Sequence, residues 1–379
     1  MKNHDNTIEY IIAIIIIGIL LLMPAVYPSA EGRSAHFDVS ARSAALYVPE
    51  TNVFLYSKNS EARMPMASTT KIMTALIALE ECDFDEVVEI DSAAVGIEGS
   101  SAYLREGDIC TLEELVYALL LQSANDAAVA IACHIDGSVE AFASRMNERA
   151  LSLGLECTHF ENPHGLDADE HYTTAEDLAK IAAAALNNTE FKKIVSTYKK
   201  SFVTEERSRT YVNHNKLLKM YDGCIGVKTG FTRKSGRCLV GAAERDGLTF
   251  VSVTLDAPSD WQDHRRMLDF GYESLEKLSF ANAGEYEYIL PVLDGHASEV
   301  RVCNREAASL IRERGGADFE SHVKLARFAV APVREGDILG EVIFTIDGKA
   351  VARVDLVASE TVKKKENGKF FGRLASLFR

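Results

Sequence analysis

Apolar and polar positions change their period several times along the chain, and each change marks an element. Residues 44–56 form two short β-like runs on either side of Pro49-Glu50-Thr51-Asn52, which predicts a hairpin. From Ser68 to Glu80 the apolar residues Ile72, Met73, Leu76, Ile77 and Leu79 recur at helical spacing. Thr111, with Glu114 three residues on, has the form of a capping box opening a helix over 112–122. A second helix is expected over 126–134, so Ser123-Ala124-Asn125 falls at the joint between the two. Thr174 and Asp177 form a similar start for an alanine-rich helix that stops near Asn187-Asn188. From about Val227 the period shortens: 238–242 and 248–254 flank Glu244-Arg245-Asp246-Gly247 as a hairpin, and 263–277 returns to helical spacing.

Hairpin, helices, hairpin and helix in that order predict an α+β domain over 36–278, with an antiparallel sheet assembled from both ends of the segment and helices packed on it. Beyond Ala283 short β-rich runs (286–293, 300–302, 323–330, 338–346, 349–357) are punctuated by glycine-containing turns. They predict a separate small all-β domain over 283–360.

The two ends of the chain read differently. Residues 10–23 are an apolar run of fourteen without a charge, preceded by Lys2 and followed by Pro24, Ser29 and Ala30. A spanning helix needs about twenty residues, so 1–30 are expected to be an export signal peptide, with an uncleaved anchor as the alternative. Residues 363–379 carry six cations against one anion, and Phe370, Phe371, Leu374, Leu377 and Phe378 share one helical face. This C-terminal amphipathic helix is expected to hold the protein to a membrane surface, the alternative being a docked or frayed end.

Composition narrows the function. With 47% hydrophobic and 26% charged residues in 379, the chain can bury full cores. A net charge of −15 argues against non-specific binding of nucleic acid, whose phosphates would be repelled. Seven cysteines contain no Cys-x-x-Cys pair, which argues against a zinc ribbon or thioredoxin-type site; Cys133 and Cys238 read as small core residues. Cys157, His159, His164 and His171 have the residue types for zinc but no ligand spacing, and no metal or other cofactor is expected.

Serine is a poor nucleophile at neutral pH unless a base lies within hydrogen-bond reach. Ser68 and Lys71 are one helical turn apart on the same face, with Ser68 at a helix start that favours developing negative charge. Ser-x-x-Lys alone is weak, for it recurs at Ser196, Ser274 and Ser321; Ser57-Lys58-Asn59 and Lys234-Ser235-Gly236 similarly duplicate two further motifs. Context discriminates. Only Ser68 opens a strong helix after a hairpin, only Ser123-Ala124-Asn125 lies at a helix joint, and only Lys228-Thr229-Gly230 continues a strand-like Ile225-Gly226-Val227.

In that order these elements resemble those of the penicillin-recognising serine enzymes. More closely, residues 66–76 (MASTTKIMTAL), 162–166 (NPHGL), 171–175 (HYTTA) and 228–232 (KTGFT) resemble the low-molecular-mass penicillin-binding proteins that act as D-alanyl-D-alanine carboxypeptidases. The resemblance covers roughly 36–360 and implies a β-lactamase/DD-peptidase-like domain. It implies that Ser68 attacks the carbonyl between two terminal D-alanines of a peptidoglycan stem peptide, or a β-lactam, and that Lys71 takes its proton, its pKa lowered by burial and by Lys228. Ser123 would relay a proton to the leaving amine, and Asn125 would hold the substrate backbone or Lys71. Lys228 and Thr229 would bind the terminal carboxylate, Gly230 would let the substrate strand approach, and the amides of Ser68 and Phe231 would form an oxyanion hole. Two positions depart from the pattern: Ala124 replaces a frequent glycine, and His214 stands where some relatives carry a carboxylate-gripping arginine. His214 is either a substrate contact or a solvated loop residue. A β-lactamase would share the three motifs, but no Glu-x-x-x-Asn follows Ser123. A catalytically idle wall-binding protein using the β domain is the remaining alternative.

Overall fold

The computed structural model describes residues 37–203 and 207–365. The expected leader, and the expected anchor from residue 366 onward, lie outside the described residues.

All six residues of β1 (Ser43–Val48) are buried, and it pairs with β2 (Val53–Lys58) as the expected hairpin. A 3-10 turn, Ala67–Thr70, runs into α1 (Lys71–Glu81). A short ribbon of β3 (Val87–Glu89) and β4 (Ile109–Thr111) leads to α2 (Leu112–Tyr117) and a π-helical turn, Ala118–Gln122. Then come α3 (Asn125–Asp136), α4 (Val139–Ser152), α5 (Ala175–Leu186) and α6 (Thr189–Ser196). A hairpin of β5 (Lys199–Val203) and β6 (Ser208–Val212) and the short α7 (Leu217–Met220) precede β7 (Cys224–Thr232), β8 (Gly236–Arg245) and β9 (Leu248–Leu255). The chain crosses back on α8 (Asp260–Ser274).

The main sheet has the order β2-β1-β9-β8-β7 and is antiparallel throughout, so its first two strands and its last three do come from opposite ends of the segment. Asp246 and Gly247 both adopt positive φ in the β8–β9 turn, the geometry that suits a two-residue hairpin. Alanine-rich α5 lies on β1 and β9 and shares an apolar core with Tyr47, Val251 and Val253. One apolar core joins α1, α2, α3 and α5 to this face of the sheet.

Three expectations change in detail. Thr111 Oγ1 does accept the Glu114 amide (3.2 Å), but the Glu114 carboxylate does not cap in return. It is buried and accepts from Arg207 (3.0 Å), Arg209 (3.4 Å) and the Tyr211 hydroxyl (3.2 Å), which seats the β5–β6 hairpin on α2. The last helix stops at Ser274, not Lys277, because Leu275 turns extended and Glu276 pairs with Arg312 (2.9 Å) on the facing strand. The β-rich part therefore begins at Leu275.

That part consists of β10 (Leu275–Ala281), β11 (Glu287–Leu293), β12 (Glu299–Asn304), β13 (Ala308–Glu313), β14 (Glu320–Leu325), β15 (Ala329–Val330), β16 (Ile338–Ile346) and β17 (Lys349–Ala358). β10 and β13 pair, and the rest form a sheet ordered β14-β16-β17-β12-β11-β15. Phe280, Phe319 and Phe344 meet in its separate core. Residues 363–365, expected in the anchor, are stitched to this unit: the Lys363 carbonyl accepts from the His296 amide (2.9 Å) and the Lys365 amide donates to Asp294 (2.8 Å). Among the described residues no helix is long and apolar enough to cross a membrane.

Candidate active site

Ser68 is the second residue of the 3-10 turn. Ala67 is held at φ 47°, and the Thr69 and Thr70 hydroxyls donate to the carbonyls of Met66 (2.6 Å) and Ala67 (2.9 Å). The Glu161 amide donates to His171 Nδ1 (3.0 Å), which leaves the imidazole hydrogen on Nε2, 2.8 Å from Thr70 Oγ1. Burial, and then the charges of His159 and Lys71, lower the His171 pKa to about 4, so the ring is neutral. Gly165 has φ +85°, and a Cβ there would collide with the Ala67 carbonyl. Gly230 on β7 is tight but less so: a Cβ would lie 3.0 Å from the Ser68 nitrogen and 3.1 Å from Ala67 Cβ. The glycine expected to admit a substrate strand is thus needed first to let β7 approach the chain's own serine turn.

Lys71 is fully buried. Its Nζ lies 3.0 Å from Ser68 Oγ, 2.7 Å from Asn125 Oδ1 and 2.5 Å from the His164 carbonyl. The Asn125 amide is oriented by its Nδ2, which donates to the Glu98 carbonyl (2.5 Å), an atom that can only accept. Two of the three Nζ neighbours are therefore acceptors only, and the third, a hydroxyl, can also donate. Three acceptors suit the three hydrogens of an ammonium, and a neutral amine is equally accommodated when the Ser68 hydroxyl turns its own hydrogen toward the lone pair. Burial first, then the Lys228 charge, lower the Lys71 pKa well below the ordinary lysine value, against a smaller opposing effect of Asp126. The proton on Nζ is thereby held less firmly than on an ordinary lysine, 3.0 Å from the Ser68 hydroxyl.

Lys228, central in β7 and also buried, reaches Ser123 Oγ (2.9 Å) and the Thr229 carbonyl (3.0 Å). Burial lowers its pKa to about 7. Ser123 sits in the left-handed region (φ 60°) between the π turn and α3, which turns its hydroxyl to Lys228 while Asn125, two residues on, faces Lys71. Ala124 is accommodated there in ordinary extended backbone, wholly buried. Thr229 is half-buried and the Phe231 ring is 65% exposed. His214 is exposed on the loop after β6, with its pKa lowered by desolvation and by the Lys228 charge.

Ser68, Lys71, Ser123, Asn125 and Lys228 are thus brought together from two helix starts and one strand. Sequence reading missed the groups behind them. The His164 carbonyl and the Glu98 carbonyl fix Lys71 and Asn125, and Asp126 accepts from the amides of Ala102 and Leu104 (2.9 and 3.1 Å) to hold the neighbouring loop. The Asn-Pro-His-Gly segment was visible as a motif, but its role is played by a main-chain oxygen. The four residues weighed for zinc do not converge among the described residues. His164 and His171 spend Nδ1 on the amides of Leu166 (3.2 Å) and Glu161, and His159 Nδ1 faces the Glu170 carbonyl (2.7 Å).

Comparison with known proteins agrees with this geometry. Residues 29–259 match the D-alanyl-D-alanine carboxypeptidase family of peptidases, and 276–364 match the C-terminal domain of penicillin-binding protein 5. The chain is 31% identical over 369 residues to the D-alanyl-D-alanine carboxypeptidase DacF of Bacillus subtilis, covering 93% of this chain and 95% of the relative. It is 28% identical to DacA of Escherichia coli, covering 89% and 86%. Among solved structures, penicillin binding protein 5 of Haemophilus influenzae superposes with a TM-score of 0.63 at 26% identity, covering 88% of this chain and 100% of that one. A Streptomyces DD-transpeptidase gives 0.59 at 34% identity, covering 62% and 98%. With a serine under a buried lysine, a second lysine on the adjoining strand and a family match over most of its length, the chain belongs to the serine-type D-alanyl-D-alanine carboxypeptidases.

Proposed function

We propose that Ser68 is the nucleophile with which this enzyme removes the terminal D-alanine from peptidoglycan stem peptides, and the residue on which β-lactams are trapped. The observation that carries the assignment is the 3.0 Å approach of Lys71 Nζ to Ser68 Oγ, on a lysine too buried to hold its proton readily. As Oγ bonds to the carbonyl carbon, its proton passes to Nζ. The oxyanion forms between the amides of Ser68 and Phe231, where fixed dipoles replace water. Collapse breaks the C–N bond, and the leaving amine takes the proton from Lys71 by way of Ser123. A water molecule then adds to the ester carbon, gives its proton to Lys71, and Ser68 is regenerated. Lys228, beneath Ser123, and Thr229, beside it, favour the terminal carboxylate; His214 and Phe231 lie at the rim.

The protein works outside the cytoplasm, after export on the leader of residues 1–30. The basic, aromatic tail then holds it to the outer face of the membrane, with the β domain between tail and active site.

Intact-mass spectrometry after treatment with benzylpenicillin tests the assignment. One penicilloyl group should appear on the wild type and none on Ser68→Ala, while a peptide ending in D-Ala-D-Ala releases free D-alanine. An undiminished adduct in Ser68→Ala would move the nucleophile elsewhere. Rapid penicillin turnover without D-alanine release would favour a β-lactamase.

A further inference from the structure

Away from the active site, two side chains from the stretch joining α1 to β3 and one from the end of α3 converge. Cys82 caps the C-terminus of α1, Glu86 precedes β3, and His134 lies in the last turn of α3. The thiol, carboxylate and imidazole ligand atoms all lie within 4.8 Å of one another, and Glu86 Oε1 is 3.0 Å from His134 Nε2. Zinc holds sulfur at about 2.3 Å and nitrogen or oxygen at about 2.0–2.2 Å, so ligands of one ion sit roughly 3–4 Å apart. The set has to draw in by up to about 1 Å to reach that span.

We propose that Cys82, Glu86 and His134 form a structural site for a zinc-like divalent metal ion, which ties together the far ends of the two helices whose near ends carry Lys71 and Asn125. A thiolate with an imidazole selects a borderline-soft ion over magnesium or calcium. Two helix C-termini converge on the position, and their dipoles favour a cation. Asp83, beside Cys82, adds negative field, while Glu81 is taken up by Arg145 (3.5 Å). The His134 and Glu86 side chains are 22% and 41% exposed, which leaves an outward side for water as a fourth ligand. Glu86 is itself anchored, since its carbonyl accepts the Leu112 amide (2.8 Å) at the start of α2. At 1.5 Å per residue, Cys82 is about 16 Å along α1 from Lys71, and His134 about 14 Å along α3 from Asn125. The ion would act as a staple opposite the catalytic end, outside the reaction. Its cost is the thiol proton, which is released to solvent when the thiolate bonds to the metal.

The test uses the whole chain, freed of metal with a chelator and titrated with Co²⁺ alone and then Zn²⁺ alone. One equivalent of Co²⁺ should give a thiolate-to-cobalt charge-transfer band, Zn²⁺ should displace it, and Zn²⁺ should raise the melting temperature. Cys82→Ser and His134→Gln should each lose at least tenfold in affinity, by comparison with the roughly 10–100-fold cost of losing a residue that merely supports a ligand. Cys82→Asp retains an anionic ligand, so it should bind Co²⁺ without the charge-transfer band, separating ligation from misfolding. Cys157→Ser should behave as wild type. A melting temperature unmoved by Zn²⁺, or a charge-transfer band that persists in Cys82→Ser, would overturn the proposal and leave a metal-free Glu86–His134 pair.

Discussion

Lys71 Nζ and Asn125 Oδ1 stand 2.7 Å apart, and the Asn125 amide cannot rotate without turning its NH₂ on Lys71 and losing the Glu98 carbonyl. A neutral acceptor at this position lets Lys71 be an amine. Asn125→Asp would place a carboxylate there and favour the ammonium form, removing the base at neutral pH. Acylation by a fluorescent penicillin should fall by about 10²–10³-fold, within the range of general-base contributions. Its acid limb should move to higher pH. A rate profile superimposable on that of the wild type would show that Asn125 does not set the state of Lys71.

The second lysine makes a prediction about stability. Its folded pKa of about 7 lies below the ordinary lysine value of 10.5, so between these limits the unfolded chain binds more protons than the folded one. Stability from this group therefore rises as pH increases from about 7 toward 10, and is lowest below the folded pKa. The melting temperature of the wild type, referred to Lys228→Met at each pH, should climb across that window. A flat difference would mean that Lys228 keeps its ordinary pKa.

Gly230→Ala should disturb the chemistry more than the fold. The new methyl presses on the Ser68 nitrogen and Ala67, and overpacking of this kind typically costs about 1–3 kcal/mol. Displacing the serine turn by a fraction of an ångström misaligns Ser68 with Lys71, where about 1 Å can cost 10²-fold in rate. The acylation rate and the urea midpoint, measured on the same preparation, separate the two effects.

Glu114 is the counterpart case, where stability suffers. Glu114→Ala leaves Arg207 and Arg209 without their shared buried carboxylate, though Asp108 still faces both (3.6 and 2.5 Å). Removing one partner of a buried ion pair costs about 3–5 kcal/mol, so the urea midpoint should drop sharply with little change in slope.

Because residues 363–365 are held by the β domain, the cut that tests the anchor belongs after Lys365. Deleting 366–379 from the mature chain should release it from anionic vesicles and leave hydrolysis of a soluble peptide intact. The cations removed (Lys369, Arg373, Arg379) contribute about 1 kcal/mol each near such a surface, and the aromatic face adds apolar burial. Sedimentation of the shortened protein with vesicles would place the attachment elsewhere.

What could be read in advance was local. The β1–β2 and β8–β9 hairpins, the helix behind Ser68 and the joint at Ser123 are written in periods and turn residues a few positions apart. The seating of β5–β6 was not legible, because it depends on Glu114 meeting arginines more than ninety residues away. Leu275 to Lys277 continues a helical pattern and is pulled into a strand only by β13. At the site, the side chains carried recognisable motifs, but the carbonyls of Glu98 and His164 have no identity in sequence. Any residue could supply the oxygen; the fold decides which one does.

The crowding around the serine turn bears on how such an enzyme could escape an antibiotic. Gly165 and Gly230 abut the backbone of Ala67 and Ser68; a methyl group at Gly165 would overlap the Ala67 carbonyl, and one at Gly230 would have to push the Ser68 turn aside. Selection under β-lactam pressure therefore finds these two positions constrained, since added bulk there also displaces the Ser68 turn. Room to vary lies instead at exposed side chains such as Phe231, where bulk can change while Ser68 and Lys71 stay where they are.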